Sequence, residues 1–353
     1  MPTLAPAMAR VGRRCSHLFL LLLAAQANTA HANDDAPYDY WCVGKCTHDA
    51  TTKPVGGTIL MGGGTDVAAA FAQQIAWMNG AGDFLVIRAS GTDAYNPWIH
   101  AMGGTNSVAT LKTNDKSAAS DPKVLEYVNK AEAIFFAGGD QHVYMEEWDG
   151  TPLQQAIQAA IGRGVPVGGT SAGCDIQGGY IFTAATGGVT SDEALSNPFR
   201  ASVTLKNSSF VTHPPPSSQG APLLLRAIID THFVTRDRMG RLIAFLARLR
   251  KAGYTESLAI GIDERTAFAI SRDGNATVLR EGDKGGRAYV LTPKGAADKC
   301  EPGTPLTWKG VAAQKVEAGD TYDFGKWQGG RAGLAYAIDV EDGAVKGDPY
   351  SPP

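Results

Sequence analysis

The chain has 353 residues, a formal charge of −3, 44% hydrophobic and 19% charged residues. That length buries a large core in one domain, or in one domain with an appendage. The composition is that of a soluble globular protein, and the mildly acidic balance speaks against nucleic-acid binding, which needs a basic surface.

Residues 1–32 read as a secretory signal peptide. Arg10, Arg13 and Arg14 form a positive start, and Leu18 to Ala25 is an apolar run too short to span a bilayer. Ala30-His31-Ala32 offers small-residue cleavage, with Ala25-Gln26-Ala27 the second choice. Arg13-Arg14 lacks the flanks of a twin-arginine signal. Cleavage removes three arginines and moves the formal charge from −3 to −6. The expected location is secreted or periplasmic, with no membrane attachment after cleavage. In that oxidising setting Cys42 and Cys46 bridge each other, or one of them reaches Cys300. Cys174 reads as a small buried residue.

Residues 33–55 form a polar leader with aromatics. From Gly56 the pattern is α/β. Gly57 to Met61 reads as a buried strand and Gly62-Gly63-Gly64 as a tight turn. Asp66 to Met78 has helical spacing, and Phe84 to Arg88 is the next strand. Val108 to Leu111 is a short strand, Lys123 to Ala131 a helix, and Ala133 to Ala137 a strand ending in Gly138-Gly139-Asp140-Gln141. Leu153 to Ile161 is a helix, and Ile161 to Val167 is expected to be the strand that feeds Gly169-Thr170-Ser171-Ala172-Gly173. Alternating strands and helices imply parallel βαβ units. Asn197 to Pro222 reads as an irregular insertion. Leu223 to Ile229 is strand-like or helical. Arg238 to Arg250 is an amphipathic helix, Leu258 to Asp263 a buried strand, and Asp273-Gly274 a hairpin turn. From Gly286 the chain is β-rich, and Glu341 to Pro353 is expected to be a frayed tail. The glycine turns lack G-x-G-x-x-G spacing and no P-loop lysine follows them. The organisation is then signal (1–32), leader (33–55), α/β domain (56–285) and β-rich extension (286–353).

The Gly169–Gly173 stretch matches G-x-S-x-G, in which Ser171 sits on a sharp strand-to-helix turn as a nucleophile. A serine nucleophile needs a base and an orienting acid. His232, beside Asp230, Arg236, Arg238 and Arg241, is the best base. Glu264, at a strand end, is the acid, with Asp263 its nearest rival. The N–H groups of Ala172 and Gly139 are the oxyanion donors. The three arginines suit a substrate carboxylate; the bland alternative is a solvated basic face. No metal or cofactor is called for. The order Ser, His, Glu, with no histidine after Glu264, argues against an α/β-hydrolase esterase. Cys174, three positions past the apex, argues against cysteine chemistry.

Four segments, Phe136 to Gln141, Gly169 to Gly173, Asp230 to Leu242 and Gly261 to Ala267, resemble the cyanophycinase group of the S51 serine peptidases, within the class I glutamine amidotransferase-like superfamily. The resemblance implies a three-layer α/β sandwich with a mostly parallel central sheet, here with a β-rich C-terminal extension. It implies a Ser171, His232, Glu264 triad and substrate contacts from Gln141, Asp230, Thr231, Arg236, Arg238 and Arg241. In such a site Asp230 suits a guanidinium and the arginines suit α-carboxylates. The implied substrate is cyanophycin or a related β-linked aspartyl peptide, cleaved to β-Asp-Arg units, and family members often form homodimers. Departures are Thr231 where glutamine is usual, Cys174 where alanine is usual, the longer stretch before His232, and the extension. The other readings are an isoaspartyl or acidic-peptide exopeptidase of the same family, and an inactive secreted binding protein on the same fold.

Overall fold

The computed structural model describes residues 36–208, 210–214 and 223–351. The signal segment and residues 215–222 of the insertion lie outside the described residues.

Two sheets organise the fold. The first has a parallel centre, in spatial order Thr105–Thr113, Gly82–Arg88, Ala133–Phe136, Val167–Thr170 and Thr58–Met61. Tyr38–Gly44, from the leader, closes one edge antiparallel to Thr105–Thr113. The hairpin Thr266–Ile270 and Asn275–Arg280 continues the other side antiparallel to Thr58–Met61, with Gly274 at φ +87° in its turn. Parallel strands need crossovers, and right-handed βαβ units place helices on the sheet faces. The strand Gly82–Arg88 shows the result in its alternation. Leu85 and Ile87 pack with the helices Pro122–Lys130 and Pro152–Gly162, while Phe84 and Val86 pack with Phe71 and Ile75 of Ala68–Trp77.

Capping explains several helix starts. Asp121 accepts from the Lys123 and Val124 N–H groups before Pro122, and Thr151 from Gln154 before Pro152. Thr190 and Glu193 form a reciprocal capping box on Ser191–Ser196.

The second sheet runs Ala344–Val345, Ala335–Glu341, Trp308–Glu317, Arg287–Leu291, Leu258–Ile262, Ala227–Asp230, Tyr180–Phe182 and Leu205–Asn207. Its inner strands Leu258–Ile262, Ala227–Asp230 and Tyr180–Phe182 are parallel. Leu60 and Phe268 of the first sheet meet Ile229, Ile260 and Ile262 of the second in one buried cluster. Each such fully buried side chain contributes about 1.5–3 kcal/mol. The helix Met239–Lys251 covers the second sheet through Leu242, Phe245 and Leu246. Residues 286–353 therefore add strands to both sheets.

Two expectations are corrected. The apolar run 161–167 is not a strand throughout: Ile161 ends a helix, Gly164 turns at φ +90°, and the strand begins at Val167. Glycine supplies the left-handed turn that hydrophobicity alone does not reveal. As far as Ser351 the tail is not frayed: Ala344–Val345 pairs with Val340 and Glu341, and Tyr350 docks on the body. The local disulfide is as expected: Cys42 joins Cys46, the alternative bridge to Cys300 is not made because Cys300 is a buried free thiol, and Cys174 is buried as its sequence context suggests.

Candidate active site

The strand Val167–Thr170 ends at Ser171, whose backbone (φ 52°, ψ −124°) is strained for a residue with a side chain. Both flanking glycines are sterically required. A Cβ at Gly169 would lie 2.1 Å from the Gly173 carbonyl oxygen, and one at Gly173 would lie 2.2 Å from that of Phe136. The Ser171 N–H donates to the Met61 carbonyl (3.1 Å), and its carbonyl accepts from Cys174 and Asp175 (2.8 and 2.9 Å). The turn is thus anchored to the next strand and to the short helix Ala172–Asp175.

His232 lies just beyond the strand Ala227–Asp230, at φ +48°. Its N–H donates to the Gly62 carbonyl at 2.8 Å. His232 Nε2 is 2.8 Å from Ser171 Oγ, and Nδ1 is 2.6 Å from Glu264 Oε1. An ionised carboxylate only accepts, so Nδ1–H donates to Glu264 and Nε2 is left to accept from the serine hydroxyl. Burial pushes the His232 pKa down; the Glu264 hydrogen bond opposes this, and the positive charges of Arg236 and Arg238 reinforce it. Asp263, the rival acid, is used elsewhere. Its Oδ1 accepts from Val234 N–H, Thr235 N–H and Thr235 Oγ at 3.0–3.1 Å, and Oδ2 pairs with Arg287 at 2.8 Å.

The Gly138-Gly139 turn faces the serine, since a Cβ on Gly138 would meet Ser171 Cβ at 3.4 Å. Among the described residues, the Gly139 and Ala172 N–H groups donate to no protein acceptor, which leaves both available to an oxyanion. Gln141 opens the helix Gln141–Glu147 half-buried, its amide donating to the Phe182 carbonyl at 3.3 Å.

The acidic and basic groups behind the base differ from expectation. Asp230 is 2% exposed. Arg241 grips it bidentately (Nε–Oδ2 2.8 Å, Nη2–Oδ1 2.6 Å), and Arg238 approaches at 3.3 Å. A carboxylate so buried and so saturated orients arginines; it does not meet a substrate guanidinium. Thr231 is fully buried and donates to Asp175 Oδ2 at 3.2 Å, so it too is turned away from substrate. Burial and the nearby Asp230 push the Asp175 pKa up. Arg236 is exposed and Arg238 half-buried. Together with Arg241, Val189 and Thr190 they line an open pocket of about 270 Å³.

Three residues of the site are not legible as such in the sequence: Gly63, Gly64 and Asp175. Gly63 and Gly64, read only as a tight turn, press on His232 and Glu264: a Cβ would lie 2.5 Å from His232 Cε1 and 2.9 Å from Glu264 Oε2 respectively. A glycine run at the end of a strand was the available signal. Asp175 carried none beyond its place four residues past Ser171. Of the other histidines, His48 bonds Tyr40 Oη, and His213 is buried with no partner for Nε2 among the described residues.

The family model for peptidase family S51 matches residues 99–277, just over half the chain. The chain belongs to peptidase family S51. This S51 peptidase is 29% identical over 231 residues to the cyanophycinase of Geminocystis herdmanii, covering 64% of this chain and 74% of the relative. It is 31% identical over 180 residues to that of Synechococcus elongatus, covering 51% of this chain and 48% of the relative. Among solved structures, a peptidase from an acI-B1 Actinobacterium shares the fold, with TM-score 0.50 at 19% identity over 77% of this chain and 98% of that one.

Proposed function

We propose that this S51 peptidase is a serine hydrolase acting through an acyl-enzyme on Ser171, and that it cleaves peptides whose aspartate is linked through its side chain. The observation that carries the reading is the continuous Ser171 Oγ, His232, Glu264 hydrogen-bond relay, at 2.8 and 2.6 Å. In the proposed reaction His232 Nε2 takes the hydroxyl proton as Oγ attacks the carbonyl carbon. The carbonyl electron pair moves onto oxygen, which rests on the Ala172 and Gly139 N–H groups. His232 passes its proton to the leaving nitrogen as the C–N bond breaks. Water then attacks the ester, losing a proton to His232, which returns it to Ser171. Glu264 holds the tautomer and stabilises the imidazolium.

The similarity to cyanophycinases supports cyanophycin as the polymer and β-Asp-Arg as the product. One observation favours the second reading, an exopeptidase for isoaspartyl or other acidic peptides. Asp230 is committed to Arg241 and Arg238, so the pocket offers positive charge to a carboxylate without offering Asp230 to a guanidinium. Export is part of the proposal, supported by the signal-like residues 1–32 and by the Cys42–Cys46 disulfide.

The test is product release from cyanophycin and from isoaspartyl dipeptides by the mature protein, beside Ser171→Ala. Release of β-Asp-Arg that the variant loses supports a cyanophycinase. Ser171-dependent cleavage of the dipeptides alone supports the exopeptidase. Inactivity on both overturns the hydrolase reading in favour of a binding protein.

A further inference from the structure

The turn 234–238 carries Arg236 and Arg238 to the pocket and leads into the helix Met239–Lys251. A helix start leaves backbone N–H groups that need acceptors. Arg238, at the N-cap position, makes no side-chain capping bond, and an arginine side chain has only donors to offer.

The acceptor comes from the far end of the chain. Tyr350 Oη accepts the Met239 N–H at 3.0 Å and donates to Asp237 Oδ1 at 2.8 Å. Asp237 stands at φ +47°, a conformation that needs support from its surroundings. The Tyr350 ring lies edge-on to Phe233, the residue after the base, with centroids 6.0 Å apart, and edge-on to Tyr289 at 5.7 Å. Tyr350 is itself tethered, because Tyr289 Oη donates to its carbonyl at 3.0 Å and Tyr336 Oη to that of Pro349 at 2.6 Å. Both tethers belong to strands of the C-terminal region, Arg287–Leu291 and Ala335–Glu341. Ser191 Oγ also donates to the Asp237 carbonyl and accepts the Arg241 N–H. The turn is thus held by Tyr350 and Ser191 together.

We propose that Tyr350 is a positioning residue for the arginine-bearing turn, so that the C-terminal segment takes part in binding the substrate carboxylate. This rests on the reading of the arginine pocket given above. Tyr350 acts through the turn: its hydroxyl satisfies the first helical N–H and restrains Asp237, and Arg236 and Arg238 thereby keep their aim. The last strands of this chain then brace the turn that carries two of the pocket's arginines.

The experiment is Tyr350→Phe in the full chain, which keeps the ring and removes the hydroxyl. With the acidic peptide that the wild type cleaves, KM rises about fivefold, while kcat stays within about twofold, as loss of one hydrogen bond far from the bond being broken predicts. Amide exchange over residues 233–241 speeds up about fivefold. A lowered Tm with unchanged KM and unchanged exchange overturns the proposal and leaves Tyr350 a merely structural residue. Asp237→Ala matches Tyr350→Phe, and the double variant is no worse than either alone; additive effects overturn the coupling. Should Tyr350→Phe not fold, Asp237→Ala carries the same readouts. If the wild type cleaves no acidic peptide, the functional reading fails, and amide exchange still decides whether Tyr350 holds the turn.

Discussion

Gly63 lies against the imidazole of His232, with no room between them for a methyl group: a Cβ there would sit 2.5 Å from Cε1 and 2.6 Å from Nε2. Gly63 also adopts φ +91°, so a side chain is opposed by both strain and contact. Gly63→Ala is expected to displace His232 from Ser171 and to lower kcat by about 10²-fold, the usual cost of misplacing a reacting group by an ångström. Steady-state kinetics, with circular dichroism to show retained fold, checks this.

The relay predicts a graded series. Ser171→Ala leaves only residual activity. Glu264→Gln keeps the shape but can offer Nδ1–H a weaker partner, and lowers kcat by about 10³-fold. Their double variant is no worse than Ser171→Ala, because the residues act as one unit. Equal activity of Glu264→Gln and the wild type would remove Glu264 from the relay.

The pH profile follows from the depressed His232 pKa. The base must be neutral to accept the serine proton, so activity falls on the acid side as His232 protonates. Burial, Arg236 and Arg238 disfavour that protonation. The acid limb of kcat/KM is therefore expected below about pH 6.5, the ordinary histidine value. Arg236→Gln removes one positive charge and moves the limb upward. A limb that stays in place shows that the Arg236 charge does not reach the imidazole.

His213 governs a stability effect away from the relay. It is 4% exposed, and burial lowers its pKa to about 4. A depressed folded pKa means that the unfolded chain binds the proton more readily. Stability is thus full above about pH 6.5 and is lost as pH falls through about 4. The loss attributable to this group is on the order of 3 kcal/mol. His213→Gln cannot titrate and flattens the denaturation midpoint across that window. An identical pH dependence in variant and wild type counts against His213.

How much of this was legible depends on how far apart the partners lie along the chain. The elbow could be read because its pattern is local: Gly169 and Gly173 flank Ser171, and the crowding of Gly169 against Gly173 follows from the turn itself, although Gly173 is crowded by Phe136 of the neighbouring strand. His232 and Glu264 could be singled out because each ends a hydrophobic strand, where α/β folds gather their sites. The arginines were legible as a cluster, but their partners were not. Asp230 was expected to face substrate and instead receives Arg241, eleven residues on. The arginine spacing alone does not say which guanidinium turns inward. The order of the tail is not legible because a short polar segment has no periodicity of its own. Its order comes from Tyr350 meeting Asp237, 113 residues earlier.

The sequence by itself determined the α/β alternation, the strained serine turn and the residue types available for acyl transfer, since these rest on backbone geometry and hydrophobic periodicity within a few residues. Only the tertiary structure decided that Asp263 holds a turn while Glu264 holds the imidazole. Adjacent residues leaving a strand point to opposite sides, and which side faces His232 is set by the packing of one sheet on the other.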